Sequence, residues 1–411
     1  MGYKISFSKI IFLLFCLGLA GYANAIFHPF VHDDLVFLAN NPRIDQWDHL
    51  SEIFLKSPTP QAPALAFANF YYRPLLEVLY KIQYRMFLRD PWGYHLFNVL
   101  LHIGNGILVY KLLELMLNRR GLAFLIAGLF LIHPVQTEAV ASIAGVSNLL
   151  FSFLGLISFI FYIQAAGAAC QFNQRSAARA RGNFSRIFFY SICLVFLIGA
   201  LLSKEQAVVL PLLFAVYEFL FSVNGPFRKQ SRREQRECLL RLAGACLIVL
   251  LYLCFRGMVT PSPLELGETP KKEFILRILH IPTVLLTYGR ILFFPVDLHY
   301  YRSTDILSPF LGSFVISTAV VGLLVLLIRS LPSENQRFAK GGLVWFLIGL
   351  LPTLNIVPLI NEYSLILTAE HFLYLPSVGF FLFVLSTGGH WGTVIFNPPS
   401  PPQLSCDSKT R

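Results

Sequence analysis

Residues 10–42 read IIFLLFCLGLAGYANAIFHPFVHDDLVFLANNP, an apolar run of membrane-crossing length followed at once by two adjacent carboxylates, Asp33 and Asp34. A spanning helix needs about 20 predominantly apolar residues, and residues 10–27 nearly supply them. Ionisable groups beside such a run are costly to place, which makes the pair the first candidates for chemistry.

The remainder of the chain repeats the pattern. Of 411 residues 55% are hydrophobic and 13% charged, and mean hydropathy is +0.62, whereas an ordinary globular domain is roughly 25% charged. Apolar runs at 94–117, 122–140, 149–166, 187–202, 207–221, 239–255, 274–294, 310–328, 342–358 and 371–385 alternate with short polar or basic breaks. The expected fold is an all-α polytopic transmembrane helix bundle of about 10–11 spans. Residues 1–387 form one membrane domain and 388–411 a proline-rich disordered tail. The net charge of +11 resides in short loops between apolar runs, which is how membrane topology is encoded, so a nucleic-acid partner is rejected. No cysteine pair has zinc-ligand spacing, and most cysteines lie inside apolar runs as packing residues.

Lys4 and Lys9 ahead of the first run keep the N-terminus cytoplasmic and send Asp33 and Asp34 outside. Residues 1–27 read either as the first span or as a signal peptide, with Ala23-Asn24-Ala25 as the cleavage pattern; both outcomes leave the acids outside. Residues 28–92 are the longest polar stretch and the expected catalytic outer loop. Within it Tyr71-Tyr72-Arg73-Pro74 opens an amphipathic helix with proline in its first turn. Arg73, Glu77, Lys81 and Arg85 share one face and Leu75, Leu79, Ile82 and Met86 the other, which predicts an interfacial helix, apolar face down, with most of its charges solvated.

Arg119 and Arg120, the arginine-rich loop from 175 to 186, and the loop from 228 to 237 mark cytoplasmic turns. His133-Pro134-Val135-Gln136-Thr137-Glu138 falls at an outer span end, where Pro134 stops or kinks the helix. A straight helix would set His133 and Glu138 about 140° apart, a poor metal pair unless that break intervenes. Ser203-Lys204-Glu205 and Glu370-His371 fall on the same side. Charge parity favours a re-entrant or interfacial placement of 274–294, interrupted by Pro282 and Arg290, which puts Asp297, His299, Tyr301 and Arg302 outside.

Asp33, Asp34, Arg73, His133, Glu138, Lys204, Glu205, Glu370 and His371 thus gather at one face. Each has a bland alternative: Asp33 as a helix cap, Lys204 paired with Glu205, His133 satisfied at a span end. Together, acids and bases at the mouth of an apolar bundle suit transfer from a membrane-dissolved donor to a polar acceptor. A carboxylate serves as general base toward the acceptor hydroxyl, and Arg73 or Lys204 stabilises a phosphate leaving group.

The segments FVHDD…NNP, YYRPL, YHLFNVLLH, HPVQTEAV, SKEQAVVLP and AEHFLYLPSVGF, in this order from Phe27 to Phe383, resemble the membrane portion of the transmembrane and tetratricopeptide-repeat (TMTC-like) proteins and their bacterial relatives. These are GT-C glycosyltransferases related to protein O-mannosyltransferases. The resemblance implies a GT-C-like bundle and inverting transfer of a hexose, most plausibly mannose, from a polyprenyl- or dolichyl-phosphate donor to a hydroxyl on a protein or glycan acceptor. It implies Asp33 as general base with Asp34 beside it. Arg73, His133, Glu138, Lys204, Glu205, Glu370 and His371 then form the donor-phosphate and acceptor site. No cofactor is called for; a divalent metal, if used, would face Asp34 and Glu138. The site would be extracytoplasmic, in a plasma (inner) membrane if the source is bacterial and in the endoplasmic reticulum if eukaryotic. The chain departs from the pattern at Gln136, where relatives often carry His, and at Phe372, where many carry Arg. It also shows no 34-residue helical repeat. A transporter or flippase of lipid-linked sugar and a non-catalytic membrane scaffold are the rival readings.

Overall fold

A computed structural model describes residues 6–42, 44–47, 50–55, 71–167, 176–221, 232–260, 271–299, 302–304, 311–354 and 366–388. The expected proline-rich tail lies outside these residues, as do parts of the first outer loop.

The all-α expectation holds. Helix α1, Phe7–Tyr22, begins where the Ser6 hydroxyl accepts from the Lys9 amide, and it continues as a 3-10 turn to Phe27. A short α2, Leu50–Leu55, and α3, Pro74–Phe87, follow. The two long central helices are α4, Pro91–Leu117, capped by Asp90, and α5, Arg120–Ile132. Asn118 joins them at φ 53°, a left-handed turn that asparagine tolerates better than most residues. After α5 the chain bends by 53° through a 3-10 turn at Pro134–Gln136 into α6, Thr137–Ala141. Pro134 brings no N–H and a fixed φ, so the break falls where the sequence predicts it.

Helices α7, Val146–Gly167, and α8, Ser176–Leu201, pack side by side, with α7 also against α4. The run expected as one span at 207–221 is instead three pieces: a 3-10 turn Glu205–Val209, α9 Leu210–Val216 and a π-turn Tyr217–Phe221. Pro211, in the first turn of α9, removes a backbone donor and sets the break. Next come α10, Arg232–Val259, and α11, Lys271–Phe293. The latter does not double back, contrary to a re-entrant placement. It runs as a single helix through Pro282, with the Ser317 hydroxyl reaching the Pro282 carbonyl from the neighbouring helix.

A two-stranded ribbon pairs β1, Arg302–Thr304, antiparallel with β2, Ile366–Thr368; between them lie α12, Leu311–Ser330, and α13, Ser333–Leu350. The final α14, Pro376–Thr387, packs along α13 at backbone contact. A Cβ on Gly342 would lie 2.5 Å from the Phe383 nitrogen and one on Gly379 2.6 Å from the Gly342 oxygen, so only paired glycines allow this approach. Among the described residues six helices are long and apolar enough to cross a membrane, seven with the bent α5–α6 pair. Three shorter apolar stretches, Ile278–Phe293, Val315–Ser330 and Pro376–Thr387, add to them. The protein is a multi-pass membrane protein.

Helix α3 departs from expectation at one residue of its charged face, Lys81, which is buried. Leu76, Tyr80, Lys81 and Gln83 are its buried side, and Ile82 and Met86 are exposed. Lys81 donates to the Gln46 carbonyl at 2.9 Å rather than standing in solvent. The buried ring of Tyr80 packs with Leu38, Ile44, Tyr94, Ile143 and Val146, and Leu79 packs against the same cluster.

Candidate functional site

The candidate residues come from helix ends that meet at one end of the bundle. Asp33 and Asp34 follow α1, Arg73 precedes α3, His133 ends α5, Lys204 and Glu205 follow α8, and Glu370 and His371 precede α14. Four contacts join these ends.

The first is between the YYRP and SKE segments. Glu205 accepts from the Arg73 Nε at 2.9 Å and from the Tyr72 amide at 3.3 Å, using both carboxylate oxygens. Its side chain is 2% exposed and that of Arg73 17%. The Leu75 amide bonds the Leu202 carbonyl at 3.1 Å, so the first turn of α3 is tied to the end of α8 twice. Glu205 therefore pairs with Arg73 and not with its neighbour Lys204. The Arg73 guanidinium also lies over the Tyr71 ring, 4.1 Å from its centre.

The second contact is the turn between α6 and α7. Lys204 Nζ donates to Asn148 Oδ1 at 2.6 Å, and Asp34 accepts from the Ala144 amide at 2.7 Å, the Ser142 hydroxyl at 3.4 Å and the Val31 amide at 3.1 Å. Asn98 of α4 donates to the Ser142 carbonyl at 2.8 Å. Asp34 and Asn98 thus satisfy the Ala144 amide and the Ser142 carbonyl of this turn, and Lys204 holds Asn148 just beyond it. Asp34 is 0% exposed, and burial raises its pKa against the pull of those backbone donors. Asp33 is half-buried and in electrostatic contact with Asp34 and Tyr80. The two acids are therefore unlike: one holds the loop, the other faces partly outward.

The third contact joins HPVQTE to AEH. Glu138 accepts from the His371 amide at 2.8 Å and bonds its Nδ1 at 2.5 Å. Burial lowers the His371 pKa, opposed by Glu138 and reinforced by Lys204 and Arg73, which brings both cations within charge range of the pair. A neutral imidazole bonded to a carboxylate carries its proton on that nitrogen, leaving Nε2 with a lone pair. Lys204 Nζ also lies 5.8 Å from the centre of the Phe372 ring, the position where an arginine was expected by resemblance. His133 does not join this pair: its Nδ1 accepts from the Val135 amide and its Nε2 meets the Leu292 carbonyl, so it caps the turn after α5 and touches α11.

The fourth contact is Glu370, which accepts from the His299 amide at 2.6 Å and from Arg302 at 3.0 Å. Burial raises its pKa despite these donors. Asp297, at φ 58°, bonds the His299 ring at 2.9 Å beside it.

Among the described residues no cluster of three or more His, Cys, Asp or Glu side chains is placed to hold a metal ion. Asp34 and Glu138, the carboxylates a metal would face, direct their oxygens at protein donors. Sequence reasoning missed Asn148, and it placed Arg302 and His299 on this side without giving them a role. It also passed over Tyr374, whose hydroxyl bonds His102 at 2.7 Å and Asn105 at 3.1 Å and so pins the AEHFLY segment to α4. The polar positions of YHLFNVLLH, three and four apart on one helical face, were the available signal.

The opposite end of the bundle is different in character. There Arg241 pairs with Glu218 at 2.8 Å, Arg119 with Glu334 at 2.6 Å and Arg120 with Glu114 at 2.7 Å. These are structural ion pairs among a surplus of arginines, and none of the candidate site residues lies among them.

The Caenorhabditis elegans protein O-mannosyl-transferase F38B6.6 is 25% identical over 381 residues, 90% of this chain and 50% of that protein. The mouse protein O-mannosyl-transferase TMTC3 is 24% identical over 408 residues, 92% of this chain and 42% of that protein. Human protein O-mannosyl-transferase TMTC1 is 30% identical over 215 residues, 51% of this chain and 23% of that protein. The chain therefore spans half or less of the length of these curated relatives. No family model matches it, and no solved structure does.

Proposed function

On the premise that this chain is a relative of the TMTC-named protein O-mannosyl-transferases, we propose that it is a GT-C-type membrane glycosyltransferase. It moves a hexose, mannose by the names of its relatives, from a polyprenyl- or dolichyl-phosphate donor to a hydroxyl of an extracytoplasmic protein or glycan acceptor, with inversion. The observation that carries this reading is the meeting of four motif segments in one polar cluster: YYRP with SKE through Arg73–Glu205, and HPVQTE with AEH through Glu138–His371. A bundle that only anchored the chain would need no such cluster of desolvated acids and cations.

In this reading residues 1–387 are the membrane catalytic domain and residues 28–92 its catalytic loop. Asp33 is the general base, since Asp34 is fully buried and its oxygens are occupied by the turn at 142–144. The acceptor hydroxyl gives its proton to Asp33 as its oxygen attacks the anomeric carbon from the face opposite the phosphate, and the bond to the phosphate oxygen breaks. The leaving phosphate keeps the bonding pair, and Arg73 and Lys204 stabilise its charge. Glu205 orients Arg73, and the Glu138–His371 pair and Glu370 shape the sugar and acceptor side. The arginine surplus at the opposite end supports an outward-facing site, because basic loops stay cytoplasmic.

The test is mannose transfer from polyprenyl-phosphate-mannose to an acceptor peptide by the purified chain in detergent, where no compartment separates donor from acceptor. Asp33→Asn should reduce transfer by about 100-fold or more, the usual contribution of a general base. Undiminished transfer by that variant removes Asp33 as the base; absence of transfer by the unaltered chain, with binding of donor intact, removes the transferase reading.

A further inference from the structure

The C-terminal end of α10 reaches the Arg73–Glu205 pair, although by sequence this helix is only a span. The Tyr252 ring lies 6.2 Å from that of Tyr72, and the Phe255 ring 5.7 Å from it. Tyr252 is within electrostatic reach of Glu205, Arg256 and Arg73 together. Arg256 is 7% exposed, while Leu250, Leu251 and Met258 on the same helix are 57%, 55% and 83% exposed. The arginine therefore faces the cluster and the leucines face outward.

A cation in the last turn of a helix is favoured by the helix dipole, and that accounts for a positive charge at Arg256. It does not account for Tyr252. This tyrosine is 8% exposed, and its hydroxyl is buried with no hydrogen-bond partner among the described residues. Buried hydroxyls are nearly always satisfied, so an orphan beside two guanidinium groups points to an acceptor that the described residues do not supply. Glu205 is not that acceptor, because Arg73 and the Tyr72 amide already use its oxygens.

We propose that Tyr252 and Arg256 of α10, together with Arg73, form the binding site for the phosphate of a lipid-linked sugar donor. The inference rests on the proposed transferase reading and assigns that donor's phosphate to a helix not otherwise part of the site. Phosphate oxygens match both the planar donor forks of arginine and a hydroxyl donor. The exposed leucines of α10 continue from this site along the bilayer, where the lipid's hydrocarbon chain lies.

The test uses the full chain in detergent with three probes: a short polyprenyl monophosphate, the uncharged polyprenol, and inorganic phosphate. Binding is read by native mass spectrometry and by competition. The chain should prefer polyprenyl phosphate to polyprenol, and Arg256→Gln should weaken polyprenyl phosphate binding about tenfold or more, the usual worth of a charge-assisted hydrogen bond. Tyr252→Phe removes one oxygen without altering packing and should weaken it severalfold, while polyprenol binding is unmoved in both variants. Arg120→Gln at the far end is the control for a charge change as such. If both variants hold polyprenyl phosphate as tightly as the unaltered chain, the α10 site is overturned and the lipid-phosphate donor stands. If polyprenol binds as tightly as its phosphate, site and donor reading fall together. If inorganic phosphate binds as tightly as the lipid and with the same dependence on Arg256, the site takes free phosphate and the commitment to a lipid is overturned.

Discussion

The Arg73–Glu205 pair offers the sharpest quantitative test, because it joins two segments 132 residues apart inside a largely desolvated site. At 2.9 Å and an effective dielectric of about 20, the gross attraction is about 6 kcal/mol, much of it offset by the cost of burying both charges. Removing one partner exposes that cost. Glu205→Ala leaves a guanidinium that is 17% exposed without its counter-ion, and the expected loss is about 3–5 kcal/mol. Glu205→Gln keeps the shape and the hydrogen bond to the Tyr72 amide, so its loss should be smaller, about 2 kcal/mol. Arg73→Met leaves the mirror-image defect, and the double variant Arg73→Met/Glu205→Ala should recover part of both. The resulting coupling energy should be about 2–4 kcal/mol, measured from equilibrium unfolding in mixed micelles by titration with denaturing detergent. A coupling below about 0.5 kcal/mol is what an exposed ion pair gives. That value would refute the claim that this pair fastens α3 to the end of α8.

Three further expectations follow from the packing and the buried acids. Gly342→Ala places a methyl group against the α14 backbone and should cost about 1–3 kcal/mol through overpacking, seen as a lower melting temperature; no change would mean that α13 and α14 are not at backbone contact. Asp34→Asn puts an amide against backbone donors and should cost about 1–3 kcal/mol and speed proteolysis of residues 28–42, whereas Asp33→Asn should stay within about 0.5 kcal/mol; the reverse order would exchange the roles of the two acids. Acid should destabilise the protein through His371. Burial holds its folded pKa below the ordinary 6.5, so the unfolded chain takes up the proton first, and stability present above pH 6.5 is lost as pH falls through the folded value. Asp34 and Glu370 work in the other direction. Their folded pKa values are raised from 3.8 and 4.5, so their contribution is present below those values and is lost as pH rises through the folded ones. A His371→Gln variant that keeps the full loss of stability just below pH 6.5 would exclude the histidine as its source.

The amino-acid sequence by itself determined the helical membrane architecture, because runs of about 20 apolar residues have no other stable arrangement in a bilayer. It also determined the break at Pro134, since a missing amide hydrogen and a fixed φ are local properties. The identity of the clustered segments was legible too: charged residues at the ends of apolar runs are conspicuous, and their order along the chain is that of a known family. Which of them meet was not legible. Glu205 adjoins Lys204 in sequence yet bonds Arg73, and Glu138 bonds His371, 233 residues away, while His133 turns to α11. The burial of Lys81 on α3 and the approach of Tyr252 and Arg256 were equally hidden. Helical periodicity states which side chains share a face, but the apolar faces of these helices are chemically alike. Only side-chain size and the close approaches permitted by glycine select the neighbours, and so decide which charges share the site.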